Sequence, residues 1–379
     1  MIHGAFRRAV RKCAFFSLLP VLLLGACAGP DKPKPADLGP NTPLMGVRSA
    51  WNTRIGNIGF PLQIRVVGDK LYVADSNGDV ASIDSNSGSY VWRTALATKL
   101  TAGVGSDGRY AAVVSAANEI IVLDAGREIW RQRINAVTLT APLVAGARVF
   151  VLASDRSVSA YDAGTGTKLW QQQRPGDALV LGQSGVLLAV GDTLIAGIGG
   201  RLVGMNPQNG NIRWESAVGN SRGTNEIERL VDLVSGVSRL GNQVCARAFQ
   251  SSVGCVDAVQ GALVWSKPAL GAKGIDGDAV AVYGVETDGK VVAWRRSDGE
   301  RLWLSDRLQY RVLSAPVVLG QSIVTGDDGG TLYFLSRQDG SLLNRISTDG
   351  SAIAATPVLV GQTLVAVTQR GGIFGFRPE

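Results

Sequence analysis

Residues 158–170 read VSAYDAGTGTKLW: a run alternating in character, a polar turn carrying Asp162, Gly164 and Gly166, and a second run that closes on Trp170. Period-two alternation buries one face of each run, and the turn glycines supply the backbone freedom a tight hairpin needs. The frame recurs as VASIDSNSGSYVW ending at Trp92, IIVLDAGREIW at Trp130, LVGMNPQNGNIRW at Trp214, VGCVDAVQGALVW at Trp265 and VVAWRRSDGERLW at Trp303. LYFLSRQDGSLLN keeps the frame but has Asn344 in the Trp place.

A second hairpin precedes each of these, as in TAPLVAGARVFVLASDRSVSAYD and SAPVVLGQSIVTGDDGGTLYFL. Each repeat therefore supplies four strands, and four-stranded units of about 40–45 residues build β-propeller blades. Trp51 stands at a closing position with no three strands before it, whereas the C-terminal ATPVLVGQTLVAVTQRGGIFGFRPE has three strands and no fourth. The expectation is an all-β, eight-bladed propeller of four-stranded antiparallel blades over 47–379, its ring closed by the N-terminal strand completing the C-terminal blade. Closure removes free sheet edges between blades. A residue that recurs once per blade, as Trp does, is read as packing between neighbours rather than as a ligand platform.

Ahead of the repeats, Arg7, Arg8, Arg11 and Lys12 precede an apolar run from Ala14 to Leu24. That run is short of the ~20 residues that span a bilayer, and reads as a signal peptide over 1–26. Leu24-Gly25-Ala26-Cys27 resembles a lipobox, which implies lipidation of Cys27; the competing reading is a soluble periplasmic protein with a chance Cys. By the same resemblance, Ala28 rather than Asp after Cys27 implies the outer membrane. The Pro-rich segment 27–46 reads as an extended tether.

Removing the four basic residues of 1–26, which holds no acid, lowers the net charge from +7 to +3, too little to argue for nucleic acid. The only histidine, His3, lies in the leader, so the mature chain has no Ser-His-Asp or Cys-His catalysis and no His-ligated zinc or haem. Cys245 and Cys255 flank a turn near Gln250 in VCARAFQSSVGCVDA; a disulfide is favoured there over two buried thiols. Asp288-Gly289 and Asp327-Asp328-Gly329 lack calcium-loop spacing and sit where hairpin turns favour these residues.

The repeat is uniform except in two connections. From the Trp-type position to the Gly of the next first hairpin turn the chain takes 21 residues between Trp170 and Gly191 and 27 between Trp214 and Gly241, against 12 to 17 elsewhere. Being consecutive and on one rim, these connections are expected to stand side by side as a composite surface. The first carries the apolar Leu179, Val180 and Leu181; the second, GNSRGTNEIERLVDL, carries Arg222, Glu226, Glu228, Arg229 and Asp232. Apolar residues beside mixed charge match the makeup of a protein interface, and loops on rigid scaffolds carry function. The competing reading is two tolerated insertions with solvated charge. Glu226 and Glu228, an i, i+2 pair on an extended chain, are read as ion-pairing groups rather than as a general acid and base.

The D-x-x-x-G-x-x-x-W repeats resemble the blade motif of pyrroloquinoline-quinone-type propellers. Together with the lipobox, the eight closing positions and TNEIERLVDL, they make the whole mature chain similar to the BamB family of β-barrel assembly lipoproteins. The resemblance implies a non-enzymatic scaffold, without cofactor, that docks on a periplasmic domain of BamA and assists folding of outer-membrane β-barrels. It assigns partner contacts to a Leu-x-Leu-Arg stretch, here Leu179-Val180-Leu181 followed by Gly182, and to acids after a Glu-x-x-Arg-Leu segment, here Asp232 and then Val234. Exposed strand edges are a further expected site for unfolded outer-membrane clients, by strand addition. The alternative is a quinoprotein dehydrogenase or ligand-binding propeller; the dehydrogenases resembled carry an adjacent Cys-Cys pair, which this chain lacks.

Overall fold

The computed structural model describes residues 33–175, 179–221, 225 and 230–379. Residues Pro35–Glu379 form one compact unit. Its strands make eight four-stranded antiparallel sheets, each built from consecutive strands except the last. We number these blades 1 to 8 from Arg65. First strands of neighbouring blades approach one another around the axis, so each blade runs outward from its first strand to its fourth. In blade 8 the strands Val358–Val360, Thr363–Val367 and Gly372–Pro378 are completed on the outside by Val47–Arg54, the ring closure expected from the repeat.

Blades meet face to face through apolar side chains. Phe150, Leu152, Val158 and Trp170 of blade 3 pack on Leu194, Ala196, Val203 and Met205 of blade 4, and the same arrangement recurs around the ring. The outer strand reaches its neighbour through a register shift one residue before the Trp-type position, present in all eight blades. A β-bulge of this kind bends the strand and re-aims the next side chain. Skipped residues such as Val91, Ile129, Leu169, Val264 and Leu302 turn to solvent, which accounts for their exposure.

Each re-aimed Trp lies under the last hairpin turn of the following blade. Trp130 Nε1 donates to the Ala163 carbonyl at 2.8 Å, and its indole lies against Gly166, where an added Cβ would sit 2.7 Å from the ring. Gly166 has a φ of 75°, so glycine serves both the turn and the close approach. Trp51, Trp170, Trp214, Trp265 and Trp303 make the same donation to the next blade.

Asn344 departs from this rule because blade 8 has no last hairpin turn: its third strand ends the chain and its fourth begins the body. Two N-terminal residues stand in for the turn. Asn344 Nδ2 donates to the Met45 carbonyl at 2.9 Å, and its Oδ1 accepts from Asn41 Nδ2 at 3.1 Å. The segment 36–46, expected as part of an extended tether, is bonded to the body by Leu44 N to Leu343 O of blade 7 at 2.8 Å and by Ala36 N to Gln309 O of the preceding connection at 3.0 Å. Leu38 also packs against the core between blades 6 and 7.

In blade 5, Cys245 and Cys255 are register partners on the second and third strands, joined as a disulfide with Cα atoms 3.9 Å apart; both residues are fully buried.

Candidate functional site

Antiparallel four-stranded blades place every blade-to-blade connection on one rim, together with the turns between second and third strands. The two longest connections follow the outer strands Lys168–Gln173 of blade 3 and Ile212–Ala217 of blade 4. They are stitched to the scaffold by backbone: Gly185 N donates to Thr140 Oγ1 at 2.8 Å, Val218 N and Gly219 N both donate to Gly200 O at 2.9 Å, and Ser235 N donates to Ser184 O at 2.8 Å. Gly219 is required by crowding, since a Cβ there would lie 2.5 Å from that of Ala248.

The connections also bond to each other. Leu181 N donates to Asp232 Oδ2 at 2.8 Å, and Phe249 N donates to the Asp232 carbonyl at 3.0 Å. The two connections are therefore joined at their described residues, with Asp232 as the tie. Of the apolar run, Leu179 is exposed while Val180 and Leu181 are half-buried; Asp232 is half-buried and lines both of the concavities that adjoin it. Arg222, Glu226, Glu228 and Arg229 lie outside the described residues, as does Cys27.

Two concavities flank the tie. The larger, about 420 Å³, is walled by Leu179, Pro175, Val231, Arg156, Arg174, Arg201 and Glu215. Arg174 and Glu215 form an ion pair across it. The smaller, about 60 Å³, is lined by Leu139, Leu152, Val180, Leu181, Ile198 and Leu233, again with Arg156 at its edge. An exposed leucine beside a cationic, partly apolar hollow suits a protein surface that inserts both apolar and charged groups. Among the described residues no cluster of three or more His, Cys, Asp or Glu is placed to hold a metal.

Sequence reasoning missed the arginines of this site. Arg156, in the turn between the second and third strands of blade 3, and Arg201, which opens the third strand of blade 4, lie far in sequence from the connections and reach the site because those turns share the rim with them. The one available signal was a misfit: the turn SDRS of blade 3 puts Arg156 where five of the eight blades have glycine.

Residues 76–305 match the family model described as outer membrane protein assembly factor BamB. The chain is 37% identical to outer membrane protein assembly factor BamB of Burkholderia pseudomallei, over 95% of this chain and 96% of the relative. The crystal structure of BamB from Moraxella catarrhalis superposes with a TM-score of 0.80 at 26% identity, covering 87% of this chain and 99% of that one. Quinohemoprotein alcohol dehydrogenase from Comamonas testosteroni superposes at a TM-score of 0.68 but 14% identity, covering 88% and 77%, a likeness of fold alone.

Proposed function

Since the chain belongs to the family of outer membrane protein assembly factor BamB, we propose that it is a non-enzymatic scaffold of outer membrane protein assembly whose tied rim docks on BamA. The observation that carries the docking surface is the Asp232–Leu181 bond, which joins the only two expanded connections of a near-uniform ring beside an exposed leucine and a cationic hollow. Where the tie and the backbone bonds fix Leu181 and Asp232 in advance, docking carries a smaller ordering cost.

Lipidation of Cys27 would hold the scaffold at the periplasmic face of the outer membrane. The body begins on the docking rim, because Ala36 bonds to Gln309 in the connection between blades 6 and 7. Unfolded outer-membrane proteins are the proposed clients, added as strands along the outer edges.

The test is capture of BamA from solubilised membranes by a chain with Leu179, Leu181 and Arg229 all changed to Ala. Loss of BamA with unchanged melting temperature is expected. Undiminished capture would refute the rim as the docking surface.

A further inference from the structure

Each blade passes from its second to its third strand through a residue with positive φ. Blades 1, 4, 6, 7 and 8 use Gly78, Gly199, Gly289, Gly330 and Gly371, blade 2 uses Asn118, and blade 5 uses Gln250 at a φ of 47°. Blade 3 instead holds Arg156 at a φ of 64°. An L-residue with a long side chain is strained there, and strain retained against an easy glycine solution points to a use for the side chain.

That side chain is also unpaired. Five arginines have a buried Nε without an acceptor: Arg148, Arg156, Arg247, Arg311 and Arg337. Four are bonded through their other nitrogens, to the Gly146 carbonyl, Glu286, the Ala36 carbonyl and Asp278 respectively. Arg156 alone of the five has no side-chain hydrogen bond or ion pair among the described residues, although it is half-buried at the edge of both concavities of the docking rim. A guanidinium partly withdrawn from water and left without an anion is costly, and its planar fork matches a carboxylate.

We infer that Arg156 reads a carboxylate on the docked partner: an Asp or Glu side chain flanked by apolar groups, entering the hollow between Leu179 and Arg156. This assignment rests on the docking reading above and specifies the chemistry the partner presents. Arg174, in the same wall, is already neutralised by Glu215 and Arg201 is exposed to water, which leaves Arg156 as the half-buried guanidinium of this wall without an anion. Apolar Leu179, Pro175 and Leu181 rim the two hollows that Arg156 borders and offer contacts to the apolar groups beside that carboxylate.

The experiment measures binding of purified BamA to the full chain and to Arg156→Gly, Arg156→Lys and Arg156→Glu, with melting curves for each. Arg156→Gly is expected to raise the melting temperature by about 1–3 °C, since it relieves the turn, while weakening BamA binding at least about tenfold. Arg156→Lys should keep part of the affinity, Arg156→Glu should lose most of it, and the affinity of the Gly variant should depend less on salt than that of the parent chain. A Gly variant that binds as tightly as the parent, or that melts at a lower temperature, overturns the assignment. If the Leu179/Leu181/Arg229 variant still binds, the docking reading itself fails; if that variant loses binding and Arg156→Gly does not, only the role of Arg156 fails.

Discussion

Asp232 closes a bond from the second expanded connection to the first, its carboxylate accepting from the Leu181 amide at 2.8 Å. An amide bonded to a carboxylate contributes about 1.5–3 kcal/mol when water is excluded, and less at this half-buried site. Asp232→Ala should therefore lower stability by about 1 kcal/mol and weaken BamA binding, because the connections lose their relative position. Asp232→Asn retains an acceptor oxygen and should bind almost as the parent does. Equal loss in both variants, read by melting and binding curves, would mean that the charge itself meets the partner.

The indole-on-glycine contact separates two kinds of turn. Gly166 and Gly191 both have positive φ, at 75° and 57°. A Cβ on Gly191 meets nothing within 4 Å, whereas one on Gly166 strikes Trp130 at 2.7 Å. Gly191→Ala should cost about 1 kcal/mol from backbone strain alone. Gly166→Ala should cost about 3 kcal/mol, with displacement of the indole added. Denaturant titration of the two variants gives the difference directly.

Asn344 seals the seam of the ring through Asn41 and the Met45 carbonyl. Asn344→Ala removes both bonds and should cost about 1–2 kcal/mol. Hydrogen exchange should accelerate first in Val47–Arg54 and in the segment 36–46. Asn344→Trp, although it restores the repeat consensus, should also destabilise, because blade 8 offers no turn glycine to receive an indole. A Trp variant more stable than the parent would refute this account of the seam.

Asp276 sets a pH dependence of unusual sign. Burial raises its pKa, although its Oδ2 accepts from Val318 N at 2.8 Å and Arg296 opposes the shift. The native state then holds this proton more tightly than the unfolded chain, so stability falls as pH rises from the ordinary Asp range through the raised native value. Asp276→Asn keeps an acceptor for Val318 and should be more stable than the parent at pH 7. The stability difference between the two should shrink as pH is lowered below the ordinary Asp range. Asp84, Asp162 and Asp349 are shifted the other way, so the comparison with the variant, rather than the raw profile, isolates Asp276.

The blades were legible because their cause is local: alternation, turn glycine and closing Trp fall within thirteen residues, as in 158–170. Ring closure was legible from the unmatched Trp51 and the three-stranded C-terminus. The bulge before each Trp was not, since it is a property of register between two strands and leaves only an aliphatic residue such as Leu169 at the skipped place. The docking of 36–46 on blade 7 escaped for a similar reason. Its contacts are backbone bonds and a single Leu38, which no periodicity announces. At the rim, unequal connection lengths revealed where to look, and Leu179 to Leu181 read as apolar. Asp232 read as a partner contact; its bond to the Leu181 amide was not legible, because it joins residues 51 positions apart. Arg156 left only a faint mark, an arginine where five of the eight blades have glycine, because the backbone angle that singles it out is not written in the sequence.

The pairing of Val47 with Pro378 has a consequence for biogenesis. A polypeptide made from its N-terminus must keep its earliest strand waiting until its latest residues have emerged. Every prematurely terminated product is an open arc with a bare blade at one end and a stray ribbon at the other. The topology thus checks the completeness of each copy before it can become a wheel.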